Sequence, residues 1–138
     1  MRIFIDTNLF VYVLLGSDEH ERCYEELVSD YSLVTDVLVL DELVWVSKRK
    51  YSVPYSISLD FIDNLILPFV NVLQLGEGSW KRARDLMLKY NLKPSDALHV
   101  GLMMEEGIEI IVSEDKEFDK VEGVRRKVQS TIRVVSQS

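Results

Sequence analysis

Arg2-Ile3-Phe4-Ile5-Asp6-Thr7-Asn8 opens the chain as a short apolar strand that ends abruptly on a carboxylate. Near the other end, Ile110-Ile111-Val112-Ser113-Glu114-Asp115 repeats the arrangement, an apolar strand followed by acid. Short strands alternate with helices between these two stretches, which implies a mainly parallel sheet with helices on both faces. In open sheets of that kind, ligands bind beyond the carboxyl ends of the strands. Both acids are therefore expected at one edge of the molecule.

Working outward, residues 8–15 form a short apolar helix ending near Gly16, and Ser17 or Asp18 can cap a helix over about 18–30. Ser32-Leu33-Val34-Thr35 is a second strand, and Asp36 has the place of an N-cap for a helix to about Tyr51, with Lys48, Arg49 and Lys50 at its negative end. Pro54 begins a helical stretch to about Leu67, Pro68 stops it, and residues 69–73 return as a strand. A basic amphipathic helix follows over 78–90, then Ser95 caps a helix to Glu106 with Gly107 as its C′ residue. Strand 108–112, an acidic turn at 114–120 and a strand at 131–135 complete the reading. The expected class is α/β, a single domain over residues 1–138.

The bulk composition narrows the function classes. The 138 residues are 47% hydrophobic and 28% charged, which is globular and large enough to bury a core. A formal net charge of −7 argues against broad neutralisation of nucleic-acid phosphates by a basic face. It leaves room for an enzyme that meets nucleic acid through bound cations and a local patch. Lys48-Arg49-Lys50 and Lys81-Arg82-Arg84 are the candidate patches, although each alone reads as a solvated helix surface. The single Cys23 implies no disulfide, and no run approaches the length of a membrane span. A soluble cytoplasmic protein with no membrane partner is the expectation. Trp45 and Trp80 are expected in the core or at an interface.

Four acids carry the chemistry. Asp6, followed by Thr7 and Asn8, places three oxygen-bearing side chains at a strand's carboxyl edge, although Asp there also serves as an ordinary helix N-cap. Glu42 lies in a helix crowded with Val37, Leu38, Val39, Leu40, Leu43, Val44, Trp45 and Val46. Its neighbour Asp41 points about 100° away, and the pattern leaves the choice between them open. Asp96 stands in the first turn of its helix, where the dipole already favours an acid. His99, one turn later, could face the same site, but a histidine bonded to backbone is the commoner case and it is left out of the candidate set. Asp115 follows the strand at 108–112, and Asp119 shares its face if 114–119 make a helical turn. Clustered carboxylates repel unless a cation lies between them, and hard oxygen donors with no Cys/His group suit Mg²⁺ or Mn²⁺.

Ile3-Phe4-Ile5-Asp6-Thr7-Asn8, Glu42, Ser95-Asp96-Ala97-Leu98 and Val112-Ser113-Glu114-Asp115-Lys116-Glu117-Phe118, in this order and spacing, resemble the PIN-domain family. The closer likeness is to the small ribonuclease toxins of the VapC type. The resemblance covers nearly the whole chain and implies a PIN-like three-layer α/β/α sandwich. It implies Asp6, Glu42, Asp96 and Asp115 as metal-binding acids, with Asn8, Ser113 and Asp119 as supporting polar groups, and it settles Glu42 over Asp41. It further implies metal-dependent RNA cleavage to 5′-phosphate and 3′-hydroxyl ends, a cognate antitoxin and a homodimer. Rival readings are a catalytically silent PIN-like protein-binding module, a structure-specific DNA nuclease and a receiver-like signalling domain. The receiver would want a pair of adjacent acids after the first strand, which Asp6-Thr7-Asn8 lacks.

Overall fold

Ile3, Phe4 and Ile5 are covered on both sides of the sheet, and they make β1 (Arg2–Ile5) its middle strand. The computed structural model describes residues 1–128. β1 leads into α1 (Thr7–Leu14) and α2 (Asp18–Asp30), and β2 (Ser32–Asp36) into α3 (Val37–Tyr51) and α4 (Tyr55–Phe61). β3 (Val70–Leu73) precedes α5 (Glu77–Tyr90) and α6 (Pro94–Glu106), and β4 (Ile110–Val112) and β5 (Arg125–Lys127) follow. The sheet order is β3-β2-β1-β4-β5, and every pairing is parallel.

That order fixes where the helices go. The chain steps from β1 to β2 to β3 in one direction, then crosses back to β4 on the far side of β1. Right-handed crossovers therefore put α1–α4 on one face and α5–α6 on the other. The packing agrees: α1 meets α2 and α3, α3 meets α4, and α5 lies along α6. The result is a three-layer α/β/α sandwich whose core includes Phe4, Leu27, Leu43, Met103, Ile111 and Phe118, all fully buried. The strand order reverses between β1 and β4, so the crevice at their carboxyl ends is the place where such a sheet binds ligands.

Several boundaries differ from the sequence reading for identifiable reasons. α6 starts at Pro94, with Lys93 and not Ser95 at the N-cap, because proline at the first helical position needs no N–H partner and already has a helical φ. α4 is shorter than expected and continues as a π-helical turn over Ile62–Ile66. β5 is a strand of three cations, Arg125-Arg126-Lys127, with none of the apolar character that marks a buried strand. It is a sheet edge, where charge is the usual composition. The strand expected at 131–135 lies outside the described residues. Trp45 and Trp80 are about half exposed, at 52% and 51%, so neither is a core residue. Among the described residues, no helix is long and apolar enough to cross a membrane.

Candidate active site

Asp6 directly follows β1 and occupies the N-cap position of α1, yet its side chain makes no capping bond. Its backbone N–H donates to Val112 O at 3.1 Å, which ties the end of β1 to the end of β4. Its carboxylate Oδ2 instead accepts from Ser113 Oγ at 2.7 Å. Asp6 is 8% exposed and Ser113 is buried with it. An acid in a capping position that turns away from the helix is held for something else.

Glu42 is half-buried one helical turn into α3, and Thr7 Oγ1 donates to its Oε2 at 3.2 Å. Asp41 is exposed and lines a shallow cleft with Trp45, Tyr55 and Leu59. Of the two acids the helical pattern left open, Glu42 is the one bonded to the first residue of α1, beside Asp6. Asp96, in the first turn of α6, is buried at 6% exposure. Burial pushes its carboxyl up from 3.8 to about 6; Lys93 opposes the rise, Asp6 adds to it, His99 opposes it and Asp115 adds to it. Asp96 therefore shares one electrostatic environment with both strand-end acids.

Asp115 is half-buried and caps the 3₁₀ turn Lys116–Lys120, accepting from Glu117 N–H at 2.9 Å. Its own N–H donates to Ser113 Oγ at 3.0 Å. Ser113 therefore links Asp6 to Asp115 through a single hydroxyl. Asn8 is exposed on the first turn of α1. Asp119 is held by Arg126, through Nε at 2.8 Å and Nη2 at 3.0 Å. That hydrogen bond is the main reason its carboxyl lies below the ordinary value.

Two participants escaped the sequence reading. Arg126 sits on the unforeseen β5, and besides Asp119 its Nη1 donates to Ser113 O at 3.2 Å. His99 is fully buried, and its partner is a carboxylate and not backbone: Nδ1 lies 2.6 Å from Asp36 Oδ2. Burial works against its protonated form, but the hydrogen bond and charge of Asp36, with the charges of Asp6 and Asp96, outweigh it and raise the pKa above 6.5. The readable signal was Asp36 itself, which ends an apolar strand as Asp6 does. An apolar cavity of about 400 Å³ lined by Val13, Leu14, Tyr24, Phe61, Leu65 and Phe69 contains none of these residues and is separate from the acid group.

The donors at this crevice are all hard oxygens, the set expected for Mg²⁺ or Mn²⁺. Among the described residues, no group of three or more His, Cys, Asp or Glu side chains is placed to hold a metal ion directly. The burial of Asp96, which Lys93 and His99 offset only in part, leaves a charge that such an ion would stabilise.

Residues 3–124 match the family model of the PIN domain, and the chain belongs to the PIN-domain family. It is 31% identical over 134 residues to Ribonuclease VapC13 of Mycobacterium tuberculosis, across 90% of this chain and 98% of that one. It is 27% identical over 134 residues to Ribonuclease VapC2 of Methanocaldococcus jannaschii, across 88% and 89%. Among solved structures, DNA-bound VapBC from Salmonella typhimurium shares the fold with a TM-score of 0.74 at 15% identity, across 94% of this chain and 98% of that one.

Proposed function

We propose that this chain is an endoribonuclease that hydrolyses RNA phosphodiester bonds with Mg²⁺ or Mn²⁺. We read it as the toxin of a toxin–antitoxin pair, acting in the cytoplasm as a homodimer and restrained by a cognate antitoxin. The observation that carries the reading is the buried Asp96 carboxyl, lifted to about 6 in a group with Asp6 and Asp115. Burial is the first cause of that rise and the charges of Asp6 and Asp115 add to it, the kind of perturbed acid that marks functional sites. VapC relatives that bear the name ribonuclease support the substrate class, and the VapBC complexes of the same fold support the antitoxin.

In this reading Asp6 and Asp96 hold the cation, with Asp115 next and Glu42 directly or through water. A bound divalent ion would act as a Lewis acid on the scissile phosphate and supply an activated water as nucleophile. The remaining work belongs to the chain. Ser113 orients the Asp6 carboxylate, Thr7 orients Glu42, and Asn8, exposed on the first turn of α1, is the supporting amide of this reading. Asp119 acts at one remove, by holding Arg126 against the Ser113 carbonyl. The test is cleavage of a mixed pool of labelled RNAs with Mg²⁺, Mn²⁺ or EDTA, beside the Asp6→Asn and Asp96→Asn variants. Metal-dependent cutting lost in both variants is the expected result. Cutting that persists in EDTA or in either variant would remove the metal–carboxylate mechanism.

A further inference from the structure

The proposed chemistry leaves one buried polar chain unused, and it runs straight to Asp6. Asp36 ends β2 with its side chain wholly covered. One of its oxygens, Oδ1, accepts from Val39 N–H at 3.2 Å and caps α3. The other, Oδ2, faces His99 Nδ1 at 2.6 Å. The His99 ring also packs against Phe4 of β1, with centroids 5.2 Å apart and planes at 40°. A ring held by a carboxylate on one nitrogen and by an aromatic on its face has no freedom left at the other nitrogen. That other nitrogen, Nε2, is buried with no hydrogen-bond partner and points at Asp6 Oδ1 from 4.0 Å.

Asp6 is thus addressed on both oxygens. Ser113 donates to Oδ2, and His99 stands toward Oδ1 at ion-pair range, beyond a hydrogen bond. Both ring nitrogens of His99 face carboxylate oxygens. We propose that His99, anchored by Asp36, is a positioning residue that fixes the orientation of the Asp6 carboxylate for a divalent cation. The inference rests on the reading of Asp6 as a metal ligand. Its physical basis is that groups behind a ligand set its direction, and losing them typically weakens metal binding by about 10- to 100-fold. The competing role is structural only, a tie between α3 and α6.

Two substitutions separate these roles, because the amide of Asn stands where Nδ1 does and that of Gln where Nε2 does. His99→Asn keeps a partner for Asp36 and removes the group facing Asp6; His99→Gln does the reverse. The measurement is Mn²⁺ binding to the full chain, read from the free-ion signal in electron paramagnetic resonance, with thermal melting to confirm folding. His99→Asn should bind Mn²⁺ about tenfold more weakly than the unsubstituted protein, and His99→Gln should stay nearer to it. Should His99→Asn fail to fold, His99→Phe repeats the test with the ring's volume kept and both donors gone. Mn²⁺ affinity unchanged in His99→Asn, or in His99→Phe where that replaces it, overturns the positioning role and leaves the metal site intact. Mn²⁺ binding that Asp6→Asn does not weaken overturns the metal reading itself and this inference with it.

Discussion

Asp96→Asn is the perturbation that measures what the acid group does to the fold. Asp96 is buried, and its carboxyl lies at about 6 where 3.8 is ordinary. For an acid whose folded pKa is raised, the native state holds the proton more tightly than the unfolded chain does. Stability is therefore greatest below pH 3.8 and falls as pH rises through about 6. A rise of about two pH units at ~1.4 kcal/mol each amounts to about 3 kcal/mol lost above that range. Asparagine cannot ionise and escapes the loss. In EDTA, urea unfolding should show Asp96→Asn gaining on the unsubstituted protein by about 2.5 kcal/mol between pH 4 and pH 8. The two proteins share nearly every other titrating group, so those contributions cancel in the difference. Saturating Mg²⁺ should close most of the gap at pH 8, because a bound cation stabilises only the protein that retains the charge. A difference that stays constant from pH 4 to pH 8 would refute the reasoning, since it would mean that Asp96 ionises as easily folded as unfolded.

Three further outcomes follow from packing and hydrogen bonding. Gly101→Ala should destabilise by about 1–3 kcal/mol in urea unfolding, because the new Cβ would meet Ser79 O at 2.7 Å and Ala83 N at 3.2 Å. Helix propensity alone predicts the opposite sign, so a gain in stability would show that α5 and α6 are not so close. Thr7→Val removes the hydroxyl bonded to Glu42 and should lower the unfolding free energy by about 1 kcal/mol while weakening cleavage; unchanged turnover would leave Glu42 without need of that bond. Arg126→Ala releases both Asp119 and the Ser113 carbonyl, and should speed amide exchange across Lys116–Lys120. Equal exchange in the two proteins would show that this ion pair orders nothing.

The fold was largely legible because its strands are short apolar runs and its helices carry recognisable ends. Asp36 caps α3 as its position predicts, Ser17 accepts from His20 N–H at the start of α2, and Gly107 ends α6 with φ at 68°. Where the reading failed, the local signal was overridden or missing. Arg125-Arg126-Lys127 carries no apolar pattern, and it is a strand only because β4 has an open edge beside it. Of the two places expected for Trp45 and Trp80, half exposure excludes the core and leaves the interface, since a large apolar side chain on a helix is not thereby inside.

The site shows a different limit. Asp6 and Asp36 are nearly the same local motif, an apolar parallel strand that ends on an aspartate before a helix. They have opposite fates. Asp36 performs the ordinary duty, accepting from Val39 N–H, and its remaining oxygen is taken by His99. Asp6 leaves its helix uncapped and accepts from Ser113 across the strand order's reversal. Thr7 and Asn8 after Asp6, against Val37 and Leu38 after Asp36, are the only local hint of this; their neighbours across the sheet decide it. β1 lies beside β4, whose end delivers Ser113 and Asp115, whereas β2 lies between β1 and β3. The strand order thus assigns the partners, giving the acid at the switch point the Ser113 hydroxyl and the acid one strand away a buried histidine. The same neighbourhood explains why His99 was misread. Its place one turn after Asp96 was visible in the sequence, but the carboxylate that holds it arrives from sixty-three residues away.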